Sequence, residues 1–193
     1  MPKVIPEYKY EAKKRILDVA TRIMLKTGYQ NLKMEDVSKE AGISRPTLYL
    51  YYKNREELIL AILSNIIADV IRTAEESLNI SEKGTDGGFF EFVNKTYPDH
   101  FKILIELTAI VQPNEFRIIT TIGKFHSLLV DQISQYIESK CPECAQNGKD
   151  PIIIAYTLFS LFIGLQTQIK LGMNIEQARE IWNNGVCSIE NCL

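Results

Sequence analysis

Apolar residues recur at helical spacing through the first third of the chain. Over residues 11–26 they fall three or four positions apart, on one face of a helix. Val37 and Ala41 form a second, shorter face, and Leu48 and Tyr52 form a third. The pattern predicts three helices that pack on one another around a small core.

The rest of the chain keeps the helical periodicity in longer segments. Helical patterns cover about residues 55–70, 98–111, 114–140, 151–171 and 175–189. No segment alternates apolar and polar residues as a strand does. We therefore predict an all-α fold, in which an N-terminal three-helix domain is joined by a long helix to a C-terminal helical bundle.

The turn between the second and third short helices has its own sequence signals. Gly42 can end a helix in a left-handed conformation. Ser44 is a good N-cap for the next helix, and Pro46 fits its first turn because an N–H there has no intrahelical partner. A helix-turn-helix is therefore predicted at about residues 34–53.

The helix that begins near Ser44 has a polar outer face. If Leu48 and Tyr52 face inward, Arg45, Pro46 and Tyr49 face outward, with Thr47 and Tyr51 on the flank. A short helix that offers such groups on this scaffold is suited to reading the DNA major groove. At the next helix start, Asn54 is an N-cap with Glu57 three residues on, and Arg55 beside the free N–H groups predicts a phosphate site.

The run AGISRPTLYLYYKNREEL, with KKRILDVATRIMLKTGYQNLKMEDVS before it, resembles the N-terminal DNA-binding domain of the TetR family of transcriptional repressors. The resemblance covers about residues 9–69 and implies that residues 70–193 bind a ligand and dimerise. It implies base contacts by Arg45, Pro46 and Thr47, and phosphate contacts by Lys33, Tyr49, Tyr51 and Arg55. The chain departs from the family at Leu32 and Lys33, where Thr or Ser is usual, and at Tyr51, often a histidine or another aromatic residue.

Charge is divided unevenly along the 193 residues, whose formal net charge is −2. Residues 1–60 contain 12 Lys and Arg against 8 Asp and Glu, a net of +4, and the remainder contains 10 against 16, a net of −6. The basic part is the part with the helix-turn-helix, as phosphate neutralisation requires. Chance segregation of surface charge is the alternative. No apolar run reaches the ~18 to 20 residues that span a bilayer, and the start lacks a signal-peptide core, so we expect a cytoplasmic protein without a membrane partner.

The helix pattern from Pro151 is apolar over most of its circumference and so has to bury two faces. The last two helices of TetR-family subunits form a four-helix dimer interface, which by resemblance implies a homodimer. The interface residues would be Phe159, Ile163, Ile181, Trp182 and Ile189. A fully internal helix in a monomer is the alternative.

Aromatic and isolated polar residues collect in the second domain. Apolar cavities with a few polar groups bind small molecules, and the family binds its inducers in this domain. Candidate contacts for a small lipophilic effector are His100, Phe101, Thr108, Phe125, His126, Phe162 and Gln166. Ordinary core packing is the alternative for most of them, and a satisfied or exposed histidine is the alternative for His100 and His126.

Cys141 and Cys144 have the spacing that can bind a metal or form a disulfide. They suggest an alternative, a redox- or metal-responsive regulator, although unpaired thiols are the simpler explanation. Sequence motifs of nucleophilic, phosphate-loop or dinucleotide-dependent enzymes are missing, and we assign no catalytic residue, metal or cofactor. The leading hypothesis is a repressor that binds a palindromic operator as a homodimer and is released by an effector.

Overall fold

The computed structural model describes residues 6–80, 90, 94–95, 98–112, 114–140 and 150–191, with side chains except at 6–8, 73–80, 98–102, 109, 140, 187 and 189–191. This part of the chain is helical and contains no strand, which confirms the all-α prediction. The helices are α1 (Pro6–Thr27), α2 (Met34–Glu40), α3 (Arg45–Tyr51), α4 (Arg55–Ile80), α5 (Pro98–Ile110), α6 (Phe116–Lys140), α7 (Pro151–Lys170) and α8 (Ile175–Asn191).

Helix α2 ends in a glycine-dependent turn. Gly42 has a φ of 65°, and its N–H donates to the Lys39 carbonyl oxygen at 3.2 Å. The N–H of Ile43 reaches the Ser38 carbonyl oxygen at 3.0 Å. These two bonds form a Schellman motif, which uses carbonyl groups that the helix end leaves free. The chain therefore reverses within a few residues and enters α3.

Helix α3 begins as its sequence predicts. The Oγ of Ser44 accepts a hydrogen bond from the Thr47 N–H at 3.2 Å, and Pro46 lies in the first turn. Leu48 has no exposed surface and Tyr52 is 3% exposed, so both side chains pack inward. These contacts fix the rotation of α3 about its axis and decide which side chains remain outside.

The start of α4 is capped by two side chains. Asn54 Oδ1 accepts the Glu57 N–H at 2.8 Å. The Glu57 carboxylate accepts the N–H of Lys53 at 2.7 Å, one residue before the N-cap that a regular capping box uses. The predicted variant of the capping box is therefore present.

The chain divides into two compact units, Met1–Ile66 with Glu106–Thr121, and Ile67–Ile105 with Ile122–Leu193. The first unit has a core drawn mainly from α1 to α4, including Ile16, Ala20, Met24, Leu48, Leu58 and Ile62. The first segment of this unit ends at Ile66, and the domain boundary near residue 70 stays a prediction. The sequence did not suggest that residues 106–121 belong to this unit.

Helices α7 and α8 pack against each other in the second unit. Asp150 Oδ1 caps α7 by accepting the Ile152 N–H at 3.0 Å, and Gly172, with a φ of 105°, forms the turn to α8. A Cβ atom on Gly185 would lie 2.5 Å from Leu161 Cδ2. Glycine at position 185 thus permits the close approach of the two helices.

Candidate functional site

The outer face of α3 presents the three side chains that the sequence places outward. Pro46 is exposed, Tyr49 is 41% exposed and the Arg45 side chain is 56% exposed. Because Leu48 and Tyr52 pack into the core on the opposite face of α3, these side chains point toward solvent. The face combines an arginine that can donate to base or phosphate oxygens with an aromatic ring that carries a hydroxyl.

Arg45 has one weak partner within the first unit. Its Nη1 atom lies 3.5 Å from Glu35 Oε2, and both side chains are more than half exposed. Such a surface ion pair contributes ~1 kcal/mol or less and is screened by salt. The guanidinium can therefore exchange Glu35 for a stronger acceptor at small cost.

Thr47 is held at the edge of this face. It is half-buried, and its Oγ1 lies 2.7 Å from Ser44 Oγ. A hydroxyl has one donor and two acceptor positions, so this bond leaves two positions for other partners. The base contact predicted for Thr47 remains compatible with its position.

Lys33 and Tyr51 flank the same region of the first unit. Lys33 is exposed at the N-cap position of α2 and makes no side-chain cap there, as its departure from Ser or Thr implies. Tyr51 is half-exposed at the end of α3. Both side chains reach solvent and are free to approach a phosphate group. Their phosphate contacts stay predictions.

Arg55 differs from the other predicted phosphate ligands because its guanidinium turns into the first unit. Its Nε donates to the Leu32 carbonyl oxygen at 2.9 Å, and Nη2 donates to the carbonyl oxygen of Tyr29. The guanidinium carbon lies 4.8 Å from the centre of the Tyr29 ring, and Nη1 lies 4.0 Å from Glu115 Oε1. The sequence predicted that Arg55 faces a DNA phosphate. These contacts correct that orientation, since its guanidinium donates to carbonyl groups of the loop between α1 and α2.

Tyr29 completes this cluster of Tyr29, Arg55 and Glu115, which we call the inner network. The ring is 4% exposed, and its hydroxyl donates to the Glu115 carboxylate. Burial, then the hydrogen bond to Glu115 and its negative charge, raise the pKa of Tyr29 to about 12. The tyrosine is thus a neutral donor at every physiological pH.

Glu115 brings the loop before α6 into the inner network. Its Oε2 accepts the Gln112 N–H at 3.0 Å, while the carboxylate accepts from Tyr29. Burial alone would raise the pKa of Glu115, but the bonds from Tyr29 and Gln112 and the charge of Arg55 outweigh it and lower that pKa. An ionised carboxylate therefore joins residues 106–121 to the loop before α2 and to the start of α4 within one unit.

Leu50 is a residue of the outer face that the sequence interpretation missed. Its side chain is 83% exposed in the last turn of α3. It follows Pro46 by four residues, which places both on one side of a helix. That spacing was the signal available in the sequence, although leucine is usually assigned to a core.

The predicted effector residues have different surroundings in the part of the chain that the structure describes. Thr108 is exposed and belongs to the first unit, whereas Phe125 and Phe162 are buried in the second, 4% and 1% exposed. Gln166 Nε2 donates to Asn94 Oδ1 at 3.1 Å. The side chains of His100 and Phe101 lie outside the described residues, so their assignment stays a prediction.

His126 contacts the aromatic residues of α7. Its ring centre lies 4.8 Å from that of Phe159, edge to face, and 5.7 Å from that of Tyr156. His126 is half-buried, while Tyr156 is 43% exposed. The rings form a small aromatic group that opens to solvent on one side.

Among the predicted interface residues, Trp182 is misassigned. It is 3% exposed, stacks on Phe90 at 5.9 Å between ring centres, and meets Phe162 edge to face at 5.9 Å. A ring enclosed in its own subunit cannot form a face for a second one, so Trp182 is a core residue. Ile181 is 38% exposed, and Phe159 and Ile163 are half-buried. The side chain of Ile189 lies outside the described residues, as do Cys141 and Cys144.

The chain is similar in sequence to known transcriptional regulators. The family model of bacterial regulatory proteins of the tetR family matches residues 16–62. The chain is 26% identical to the uncharacterized HTH-type transcriptional regulator YhgD of Bacillus subtilis over 160 residues, which cover 80% of the chain and 82% of YhgD. It is 22% identical over 130 residues, 65% of the chain and 69% of the relative, to IcaR of Staphylococcus epidermidis, the negative transcriptional regulator of the biofilm operon icaADBC.

The fold is similar to solved structures over most of the chain. A TetR-family transcriptional regulator from Streptomyces coelicolor superposes with a TM-score of 0.71 at 19% identity, covering 93% of this chain and 94% of that one. The fold over most of the chain is therefore that of these solved structures, and the family match together with the relatives' names supports DNA binding by the helix-turn-helix. The tetR family match covers residues 16–62, so it identifies the N-terminal part of the chain as a tetR-type helix-turn-helix domain.

Proposed function

We propose that this chain is a homodimeric repressor that binds a palindromic operator and is released by a small lipophilic effector in the second unit. The observation that supports it best is the outer face of α3, where Arg45, Pro46 and Tyr49 reach solvent on a fixed scaffold. Repression is supported by the similarity to IcaR, whose name describes a negative regulator. The site of action is the cytoplasm, where the DNA is.

Selection of DNA from a pool of random duplexes tests the operator. Two α3 helices related by a twofold axis read half-sites about one helical turn apart, ~34 to 36 Å. We expect the purified protein to enrich a palindrome with that half-site spacing. Enrichment of no sequence, or of a single half-site without symmetry, would overturn the proposal.

Dimerisation is supported by the exposed side of α7. Ile153 is 61% exposed and Tyr156 43%, and Ser160 and Gly164 continue the same side without bulky groups. By length and composition Pro151–Lys170 could also cross a membrane, with a mean hydropathy of 1.7 and 28% of that window buried in a single chain. We favour a second copy of the chain as the cover, because the neighbouring Ile181 on α8 is also exposed.

The substitution Ile153→Glu separates these possibilities. Burying an unpaired carboxylate in an apolar interface is costly, so the variant should be monomeric by light scattering and should bind the operator more than about tenfold more weakly. Leu171→Glu is the matched control, since Leu171 is 76% exposed at the end of α7 and should tolerate the charge. A wild-type monomer, or wild-type protein that sediments with membranes, would refute the dimer.

The effector site is supported by the aromatic residues of the second unit and by the half-buried pair of Gln166 and Asn94. A few polar groups among apolar side chains are the usual composition of a small-molecule site. Trp182 is the single tryptophan of the chain and stacks on Phe90, so its fluorescence reports on this region.

Straight-chain fatty acids of increasing length are suitable lipophilic probes, with acetate as the control. An effector that favours a conformation unable to bind DNA must change the Trp182 emission and release the operator over one concentration range, since the two equilibria are linked. Release by none of the probes would remove the support for a lipophilic effector. Release without a change in emission would place the effector elsewhere.

A further inference from the structure

Leu50 is the most exposed large apolar side chain of the part of the chain that the structure describes. It is 83% exposed, compared with 76% for Leu171 and 72% for Phe116. Its two neighbours on the inner side, Leu48 and Tyr52, already fill the contact between α3 and the core. Folding of the first unit therefore does not account for a leucine at this position.

Leu50 lies on the outer face, in the last turn of α3. It lies four residues after Pro46 and next to Tyr49, so Pro46 and Leu50 form an apolar strip beside the polar pair of Arg45 and Tyr49. Leucine has no donor or acceptor, which means that it cannot hold a phosphate oxygen. An apolar partner within the groove is the remaining favourable contact.

The major groove of DNA offers one prominent apolar group, the C5-methyl of thymine. We propose that Leu50 is a specificity-determining residue that packs on a thymine methyl in each half-site of the operator. The inference rests on the proposed function, because it needs α3 in the major groove. It adds a second means of discrimination beside the hydrogen bonds expected of Arg45.

Replacing thymine by deoxyuridine tests the contact, because this change removes the methyl and leaves the hydrogen-bonding groups of the base unchanged. Each thymine of the selected operator is replaced in turn, in both half-sites together, and binding is measured by fluorescence anisotropy. A methyl worth about 0.8 kcal/mol on burial predicts about fourfold weaker binding per half-site, or about fifteenfold for the pair. We expect this loss at one symmetric position.

The variant Leu50→Ala identifies the residue responsible. It should bind the thymine and deoxyuridine operators about equally at that position, whereas Leu171→Ala, the matched control at another exposed leucine, should retain the full loss. Equal losses for wild type and Leu50→Ala would overturn the inference, and so would a wild type that tolerates deoxyuridine everywhere. In both cases the operator still binds and the proposed function stands, whereas failure to enrich any operator removes both.

Discussion

Arg45 and Arg55 lie ten residues apart in the same unit and have opposite environments. The Arg45 side chain is 56% exposed and meets one exposed carboxylate at 3.5 Å. Arg55 is 34% exposed, donates to two backbone carbonyl groups and lies over the Tyr29 ring. Both arginines were predicted to touch DNA. The contrast shows that charge near a helix-turn-helix does not assign function until the direction of the side chain is known.

The largest expected difference between the two arginines is in stability. Arg55→Ala removes the guanidinium bonds to the Leu32 and Tyr29 carbonyl groups and the positive charge beside Glu115, so the free energy of unfolding should fall by about 2 kcal/mol. Arg45→Ala removes an exposed pair and should change it by less than about 0.5 kcal/mol. Urea denaturation of both variants measures this, and equal stabilities would contradict the inner network.

A smaller difference is expected in the salt dependence of operator binding. Each phosphate contact contributes about 0.9 to the slope of log K against log salt, so Lys33→Ala should lower the slope by about two for a dimer. Arg55→Ala should leave the slope unchanged, because its guanidinium is engaged inside the unit. The comparison uses protein concentrations corrected for the folded fraction. A lower slope for Arg55→Ala would restore the phosphate contact that the sequence suggested.

The smallest effects are expected within the inner network as pH changes. Tyr29 keeps its proton up to a pKa of about 12, whereas in the unfolded chain it titrates near 10.0. Its contribution to stability is complete below pH 10 and is lost as the pH rises toward 12. Unfolding free energies of wild type should therefore fall more steeply over that interval than those of Tyr29→Phe. Tyr52→Phe is the parallel control, since burial also raises the pKa of Tyr52 to about 12.

Glu115 has the opposite dependence. Its lowered pKa means that its contribution is present above pH 4.5 and is lost as the pH falls through the folded value. Glu115→Gln should be less stable than wild type by about 1 kcal/mol at neutral pH and should lose less stability in acid. If the free energies of unfolding of wild type and Glu115→Gln changed in parallel below pH 5, the partners of Glu115 would not lower its pKa.

Local sequence signals predicted much of the fold. Gly42, Ser44 and Pro46 fix the turn and the start of α3 through contacts within a few residues, and helical spacing alone predicted that Leu48 and Tyr52 are buried. The same reasoning located the outer face of α3. It failed where partners are distant in sequence, as Glu115 is from Tyr29, because periodicity carries no information on such pairs.

The surroundings of two apolar residues, Trp182 and Leu50, were not predicted, because they depend on how the helices pack. Trp182 was assigned to the dimer interface because it lies on the last helix, which forms that interface in the family the chain resembles, but Phe90 and Phe162 enclose it. Leu50 was assigned to neither face of α3, yet it is 83% exposed. Helical phase restricts a side chain to one side of its own helix, and only the packing of the other helices decides whether that side is covered.

Titration of Arg45→Ala against every single-base variant of the selected operator tests most directly whether α3 reads sequence. We expect discrimination to fall by about 1 to 3 kcal/mol at one base pair in each half-site, with the other positions unchanged. Equal weakening on the operator, on all its variants and on a scrambled duplex would contradict base reading by the outer face of α3.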